Sequence, residues 1–303
     1  MKYQYYPGCS LTGTAREYDM AVRAVMSALE VNLLEIADWT CCGASAAAAV
    51  DRLLSLALPA RNLALAEAHS DAPDVLIPCS ACYLNLKQVE ILIHREPQTL
   101  ARLNQILADE PLTLTGRVTV RHLLDVLARD LGPEAVAERV RTPLDGWVVA
   151  PYYGCQCLRP YVIFDDPERP RSMAPLIAAT GARVHAWTMG AKCCGASHMN
   201  TEPEVARRLV AAILRGARGA DAIVTVCPMC QINLEAHQRK IARETGEDLS
   251  VAVLYLPQLL GLALGIAPDQ LGIHLNLAVG PRLRAKFPGP ERKSAGASAD
   301  ARV

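Results

Sequence analysis

The sequence predicts an α/β protein: two duplicated α/β domains with parallel sheets and cysteine clusters at the carboxyl ends of strands. Three observations predict it. One cysteine pattern occurs twice, short β-rich segments alternate with longer helix-period segments in both halves, and the cysteines fall where strands end.

The first half reads Cys9, 31 residues, Cys41-Cys42, 36 residues, then Cys79-Ser80-Ala81-Cys82. The second reads Cys155, 37 residues, Cys193-Cys194, 32 residues, then Cys227-Pro228-Met229-Cys230. Offsets of 146, 152 and 148 residues separate Cys9 from Cys155, Cys41 from Cys193 and Cys79 from Cys227. Neighbouring residues repeat too. Tyr5-Tyr6-Pro7-Gly8-Cys9 answers Tyr152-Tyr153-Gly154-Cys155, Gly43-Ala44-Ser45 answers Gly195-Ala196-Ser197, and Asn85 and Asn233 each stand three places beyond a CxxC. This is an internal duplication.

In chain order, Lys2–Tyr6 reads as a strand, Thr14–Leu29 as an amphipathic helix, Asn32–Ile36 as a strand, Val50–His69 as an Ala/Leu-rich helix and Val75–Ile77 as a strand. The second half repeats that order with Trp147–Ala150, Ser172–Ala179, Arg183–Ala186, Val205–Arg218 and Ala222–Val226. Strands separated by helices imply parallel βαβ units, and ligands of such sheets gather at the strands' carboxyl ends. Helical segments are expected at Pro97–Ala108, Val118–Arg129 and Pro133–Val140, bridging the halves, with Thr142-Pro143-Leu144-Asp145-Gly146 as a turn. The expected domains are 1–142 with its helical connector, 143–280, and a Pro/Gly/Ser/Ala-rich disordered tail over 281–303.

Lys plus Arg equals Asp plus Glu, at 31 each, which leaves no single-sign field to hold nucleic acid or an anionic membrane. Val251–Ala267 is the longest apolar stretch, but Pro257 and Gln258 interrupt it, so a buried strand followed by a helix is expected rather than a membrane span. An odd cysteine count of 11 and no charged, apolar leader after Met1 argue against a secreted disulfide scaffold and for the cytoplasm.

A CxxC pair suggests zinc first, since a closed zinc site needs four ligands. Five cysteines per half is one too many. An adjacent Cys-Cys pair also diverges unless the backbone turns sharply, which Gly43 and Gly195 permit. A polynuclear iron–sulfur cluster can use such a pair. Cubane ferredoxin clusters use a CxxCxxC run, and the chain has none.

With these residues in place, the chain resembles the cysteine-rich CCG domain pair of the B subunit of the heterodisulfide reductases, from Tyr5 to about Leu264. The resemblance implies two noncubane [4Fe-4S] clusters, one on Cys9, Cys41, Cys42, Cys79 and Cys82, the other on Cys155, Cys193, Cys194, Cys227 and Cys230. It implies a disulfide reduced, or a thiol or persulfide oxidised, by paired one-electron transfers. It also implies partners: a ferredoxin-type iron–sulfur subunit, a flavin-containing subunit and, in the bacterial sulfur-metabolism branch, a lipoate-binding protein. The many Ala and Arg residues favour that branch and lipoate-bound sulfur as substrate. The competing readings are a noncatalytic electron-transfer subunit of a hydroxyacid or glycerol-phosphate oxidising complex, and a zinc-stabilised scaffold. A GxGxxG fingerprint is absent from the sequence, so flavin belongs to a partner.

Two residues belong only to the second repeat. Cys157 faces Leu11 in the first and is either a small buried thiol or a redox-active one; His198 faces Ala46 and is the best-placed proton donor. Lys192 either balances cluster charge or faces water. His69, His122 and His185 lack metal-ligand neighbours and read as surface or satisfied core groups, while Pro78 and Pro228 flank the CxxC turns.

Overall fold

Alternating short apolar runs and amphipathic segments can bury both faces of a sheet only if helices cover it, and that is the observed architecture. In the computed structural model, which describes residues 1–69 and 72–287, two four-stranded parallel sheets lie in sequence. The first contains β1 (Lys2–Tyr5), β2 (Asn32–Glu35), β3 (Asp74–Ile77) and β4 (Thr119–His122), ordered β2-β1-β3-β4. The second contains β5 (Val148–Tyr152), β6 (Arg183–Val184), β7 (Ala222–Thr225) and β8 (Ala252–Tyr255), ordered β6-β5-β7-β8. β7 and β8 are buried at every residue, as strands covered on both faces must be.

Each sheet reverses its winding between its first and third strands, β1 and β3 or β5 and β7. Beyond that switch point the crevice outside the strand ends is open to a ligand. Cys9 and Cys79 follow β1 and β3, and Cys155 and Cys227 follow β5 and β7, so each crevice receives cysteines from both sides.

The halves pack by exchanging equivalent surfaces. The helix Leu256–Ala263, which follows β8 and is buried throughout, packs on the helix Arg16–Ala28 of the first domain. Reciprocally, the π-helix Val126–Leu131 and helix Gly132–Ala137, which follow β4, pack on Met173–Ala179 of the second. The expectation of a strand then a buried helix over Val251–Ala267 holds. No described helix is long and apolar enough to cross a membrane.

Two expectations are corrected. Val118–Arg129 is not a helix from its start: Thr119–His122 is the fourth strand of the first sheet, parallel to β3. Helix-period Leu123, Leu124, Val126 and Leu127 masked a short edge strand that has only Val120 as an apolar alternation. The chain from 281 to 287 is also ordered. Pro281–Arg284 is helical, Leu283 is buried, Phe287 stacks on Trp147 at 6.2 Å, and Lys286 Nζ reaches Asp221 at 2.7 Å. The apolar pair Leu283 and Phe287 closes over the base of the second sheet; residues 288–303 of the expected tail lie outside the described residues.

Candidate metal centres

Both crevices are built alike. Cys79 and Cys227 sit at the N-caps of helices Ser80–Arg95 and Pro228–Ala236, which places Cys82 and Cys230 in first turns, where free backbone amides favour thiolate. In the first crevice Cys42 Sγ lies 3.4 Å from Cys82 Sγ, and Cys9 Sγ lies 3.8 Å from Cys41 Sγ. In the second, Cys194 Sγ lies 3.5 Å from Cys230 Sγ. Three cysteines of each set are buried and two stand at or near the mouth: Cys9 and Cys41 exposed in one, Cys193 exposed and Cys155 half-buried in the other.

The repeated residues around the cysteines each have a physical task. Gly43 and Gly195 take left-handed backbone, with φ of 85° and 75°, and their amides point at Cys41 Sγ (3.4 Å) and Cys193 Sγ (3.3 Å). Tyr6 and Tyr152 donate their hydroxyls to the carbonyl just before each Cys-Cys pair, Thr40 O at 2.6 Å and Lys192 O at 2.7 Å. Asn85 donates to Cys42 O (3.0 Å) and Ala44 O (2.9 Å), and Asn233 to Cys194 O (2.8 Å). Gly8 and Gly154 leave room for sulfur: a Cβ there would lie 2.7 Å from Cys82 Sγ and 3.0 Å from Cys230 Sγ.

The family model of the CCG cysteine-rich domain matches residues 3–87 and 149–235, the stretches that form these two crevices. The chain belongs to this family. Over most of its length it is similar to the B subunit of the ferredoxin:CoB-CoM heterodisulfide reductase of Methanosarcina mazei, 31% identical over 295 residues, 94% of this chain and 97% of that one. A protein of Archaeoglobus profundus described as like the heterodisulfide reductase B subunit is 30% identical over 291 residues, covering 93% and 96%. The 8-methylmenaquinol:fumarate reductase membrane anchor subunit of Wolinella succinogenes is 35% identical over 280 residues, covering 91% and 96%. A crystal structure of a hypothetical protein from Helicobacter pylori matches 91% of the chain with a TM-score of 0.73 and 15% identity. This chain spans 52% of that structure's length, and the likeness shows the fold alone. The CCG pair and its heterodisulfide reductase relatives imply an iron–sulfur, electron-transferring subunit.

The donor set of the CCG crevices fits such a group. Each holds five thiols, none in a disulfide. Among the described residues no three His, Cys, Asp or Glu side chains converge as a single ion would require, whereas several irons can take up spread donors. Crowded thiols cannot all ionise by themselves. Hydrogen bonds draw Cys42 down to about 7 (from Cys82, then Ala44 N and Asn85) and Cys193 to about 5 (from Cys155, then Gly195 N, with His198 and Arg159 assisting). Their partners Cys82 and Cys155 are driven far upward, first by those same sulfurs and then by burial. Positive charge bound among the thiols would relieve this conflict, and iron would supply it.

The residues singled out in the second repeat separate. Cys157 is 2% exposed, its thiol donates to Tyr153 O at 3.3 Å, and burial pushes it up to about 12. His198 is exposed, in a 3₁₀ turn directly after the Cys-Cys-Gly loop. The Lys192 side chain faces solvent while its carbonyl holds Tyr152. His122 and His185 are held within the fold, against Ser80 and Leu124 N, and against Gly216 O; the His69 side chain lies outside the described residues. Sequence reasoning missed Tyr18, a helix-face aromatic whose hydroxyl lies 3.1 Å from Pro78 O and 3.2 Å from Val226 O, the carbonyls preceding Cys79 and Cys227. Nothing in a helical apolar stripe distinguishes such a residue from ordinary core.

Proposed function

We propose that this chain is the iron–sulfur subunit of a cytoplasmic, heterodisulfide reductase-like complex that reduces a disulfide, or oxidises a thiol or persulfide, by two one-electron transfers. The observation that carries the reading is the pair of five-thiol crevices of one construction, opened at the switch points of two sheets whose CxxC turns share a hydroxyl contact. Cys9, Cys41, Cys42, Cys79 and Cys82 hold one noncubane [4Fe-4S] cluster, and Cys155, Cys193, Cys194, Cys227 and Cys230 the other. When bound, each cluster supplies one electron and a Lewis-acidic iron to sulfur. Reduction of one disulfide to two thiols consumes two electrons and two protons.

The chain's own residues supply the rest. His198, exposed beside Cys193, is positioned to deliver a proton to departing sulfur. Cys157 is assigned a packing role, because its thiol is buried and turned to the Tyr153 carbonyl at 3.3 Å. A cavity of about 870 Å³ beside the second crevice is lined by Arg169, Arg171, Lys192 and Trp187. Glu168 lines the same cavity and Asp166 acts on Arg169 and Arg171, so the positive excess is modest; it suits a substrate or carrier that brings negative charge, lipoate-bound sulfur among them. Electrons reach the chain through a ferredoxin-type subunit and a flavin subunit.

Iron and acid-labile sulfide analysis of anaerobically purified protein tests the cofactor assignment. About eight irons and a matching amount of sulfide per chain are expected; one or two zinc ions without sulfide would sink it. The similarity to a fumarate reductase anchor subunit favours a second reading, an electron conduit without sulfur chemistry, as in hydroxyacid or glycerol-phosphate oxidation. Chemically reduced protein offered a lipoamide-type disulfide separates the two. The first reading requires stoichiometric dithiol, and the second none.

A further inference from the structure

We propose that Tyr18 and Ser80 are positioning residues that lock the two cysteine crevices to one another, so that both face a single disulfide at fixed separation; this rests on the two-cluster reading above. Duplicated domains joined by a connector move relative to each other by default. Two centres that must each reach one S–S bond tolerate little such drift.

The lock is buried, and Ser80 also lies within hydrogen-bond reach of the Cys157 and Cys227 thiols. Tyr18 is 0% exposed and its ring stacks on Tyr255 of the second domain, centroids 3.9 Å apart and planes 3° from parallel. Its one hydroxyl proton is shared between Pro78 O and Val226 O. Ser80, inside the first CxxC, supplies the second donor and reaches across the domain boundary to Val226 O at 3.2 Å. The direction of that bond is forced by His122, whose Nδ1 accepts from Leu124 N at 3.1 Å. The ring proton therefore sits on Nε2, 3.2 Å from Ser80 Oγ, and Ser80 donates onward. Burial keeps this imidazole neutral, drawn down to about 3.

The duplication does not repeat Ser80, His122 or Tyr255. Pro228 stands where the first CxxC has Ser80, and Tyr255 ends β8 where His122 ends β4. Residues that hold each cysteine ring come in matched pairs, Tyr6 with Tyr152 and Asn85 with Asn233. Residues that meet between the rings are complementary instead: a ring on a ring, a hydroxyl on a carbonyl. Removing both donors leaves two buried carbonyls without a partner, each directly before a cluster ligand.

The test is the full-length Tyr18→Phe/Ser80→Ala variant, which keeps the ring stack. Amide hydrogen exchange at 79–83 and at 226–231 is expected to rise together, by about tenfold, in the metal-free chain as in the loaded one. In loaded protein, iron and sulfide stay unchanged, each cluster still takes one electron, and the magnetic interaction between the two reduced clusters broadens by electron paramagnetic resonance. Disulfide turnover falls, and Ser80→Thr with Tyr18 intact restores it. Unchanged exchange, or a rise at only one segment, overturns the lock. A double variant that fails to fold leaves the same exchange readings to be made on Tyr18→Phe. If the wild type holds no iron or sulfide, the two-cluster reading fails while the exchange result still judges the lock.

Discussion

The first and second crevices share a frame and differ in what is added to it. In the first, only ten residues separate β1 from the helix Arg16–Ala28, and Trp39-Thr40 leads straight into Cys41. In the second, twenty residues separate β5 from Met173–Ala179, and Met189-Gly190-Ala191-Lys192 stands between Trp187-Thr188 and Cys193. The additions are stitched together: Arg159 donates to Ala191 O and Pro167 O at 2.7 Å, and Gly190 O accepts from Tyr153 N at 2.8 Å. They line the cationic cavity beside the second crevice. The frame answers a demand common to both sites, holding five sulfurs. The elaboration belongs to one site alone, and it is there that the proposed function puts substrate.

The largest difference is expected from the two glycines that admit sulfur. Gly8 has φ 74° and ψ 162°, a region essentially closed to other residues, at a cost of about 1–3 kcal/mol, and a Cβ there would meet Cys82 Sγ at 2.7 Å. Gly154 has φ 72°, and its Cβ would meet Cys230 Sγ at 3.0 Å. Gly8→Ala is therefore expected to lose about half of the iron and labile sulfide, with a stability loss of about 3 kcal/mol by denaturant unfolding. Gly154→Ala should lose less of both. Equal losses would mean that the two rings are more alike than their geometry.

Much of this frame was legible in the residues. Period-two and period-3.6 segments placed seven of the eight strands, because buried parallel strands such as Ala222–Thr225 are short apolar runs between helices. The eighth, Thr119–His122, was hidden by its polar edge, although Ala252–Tyr255, read as a strand in the other half, is its counterpart and the duplication itself pointed to it. The cysteine rings were visible because ligands are chemically distinctive and repeat. Tyr18, Ser80 and Arg159 were not, since their roles depend on carbonyls brought near by folding from elsewhere in the chain.

A second contrast lies at equivalent positions five residues beyond each CxxC. Lys87 is buried in an ion pair with Glu90 at 2.6 Å, while Glu235 is buried without a cation. Burial pushes the Glu235 carboxyl up to about 7, against the pull of the Leu277 and Ala278 amides at 2.9 and 3.1 Å and with a further push from Glu17. A folded pKa above the unfolded value of 4.5 favours the protonated state. Its stabilisation is complete below about 4.5 and is lost as pH rises through 7, by up to about 3 kcal/mol. Thermal unfolding should accordingly fall by about 5 °C between pH 5.5 and 8.5. Glu235→Gln should flatten that slope, and a slope unchanged in the variant would move the titration elsewhere.

The smallest expected difference is between the two asparagines. Asn85 holds Cys42 O and Ala44 O and reaches Cys42 Sγ at 3.6 Å, so it fixes the Cys-Cys loop and donates to a ligand sulfur. Asn233 holds Cys194 O alone, but is 4% exposed, where an unpaired carbonyl is costlier. The two effects oppose each other, so Asn85→Ala and Asn233→Ala should both cost about 1–2 kcal/mol in unfolding experiments. They should part in spectroscopy. Only Asn85 donates to sulfur, and hydrogen bonds to sulfur raise cluster potentials, so only Asn85→Ala should lower the midpoint potential of its cluster in a redox titration. A shift of equal size in Asn233→Ala would show that loop geometry, rather than the N–H···S contact, sets the potential in both crevices.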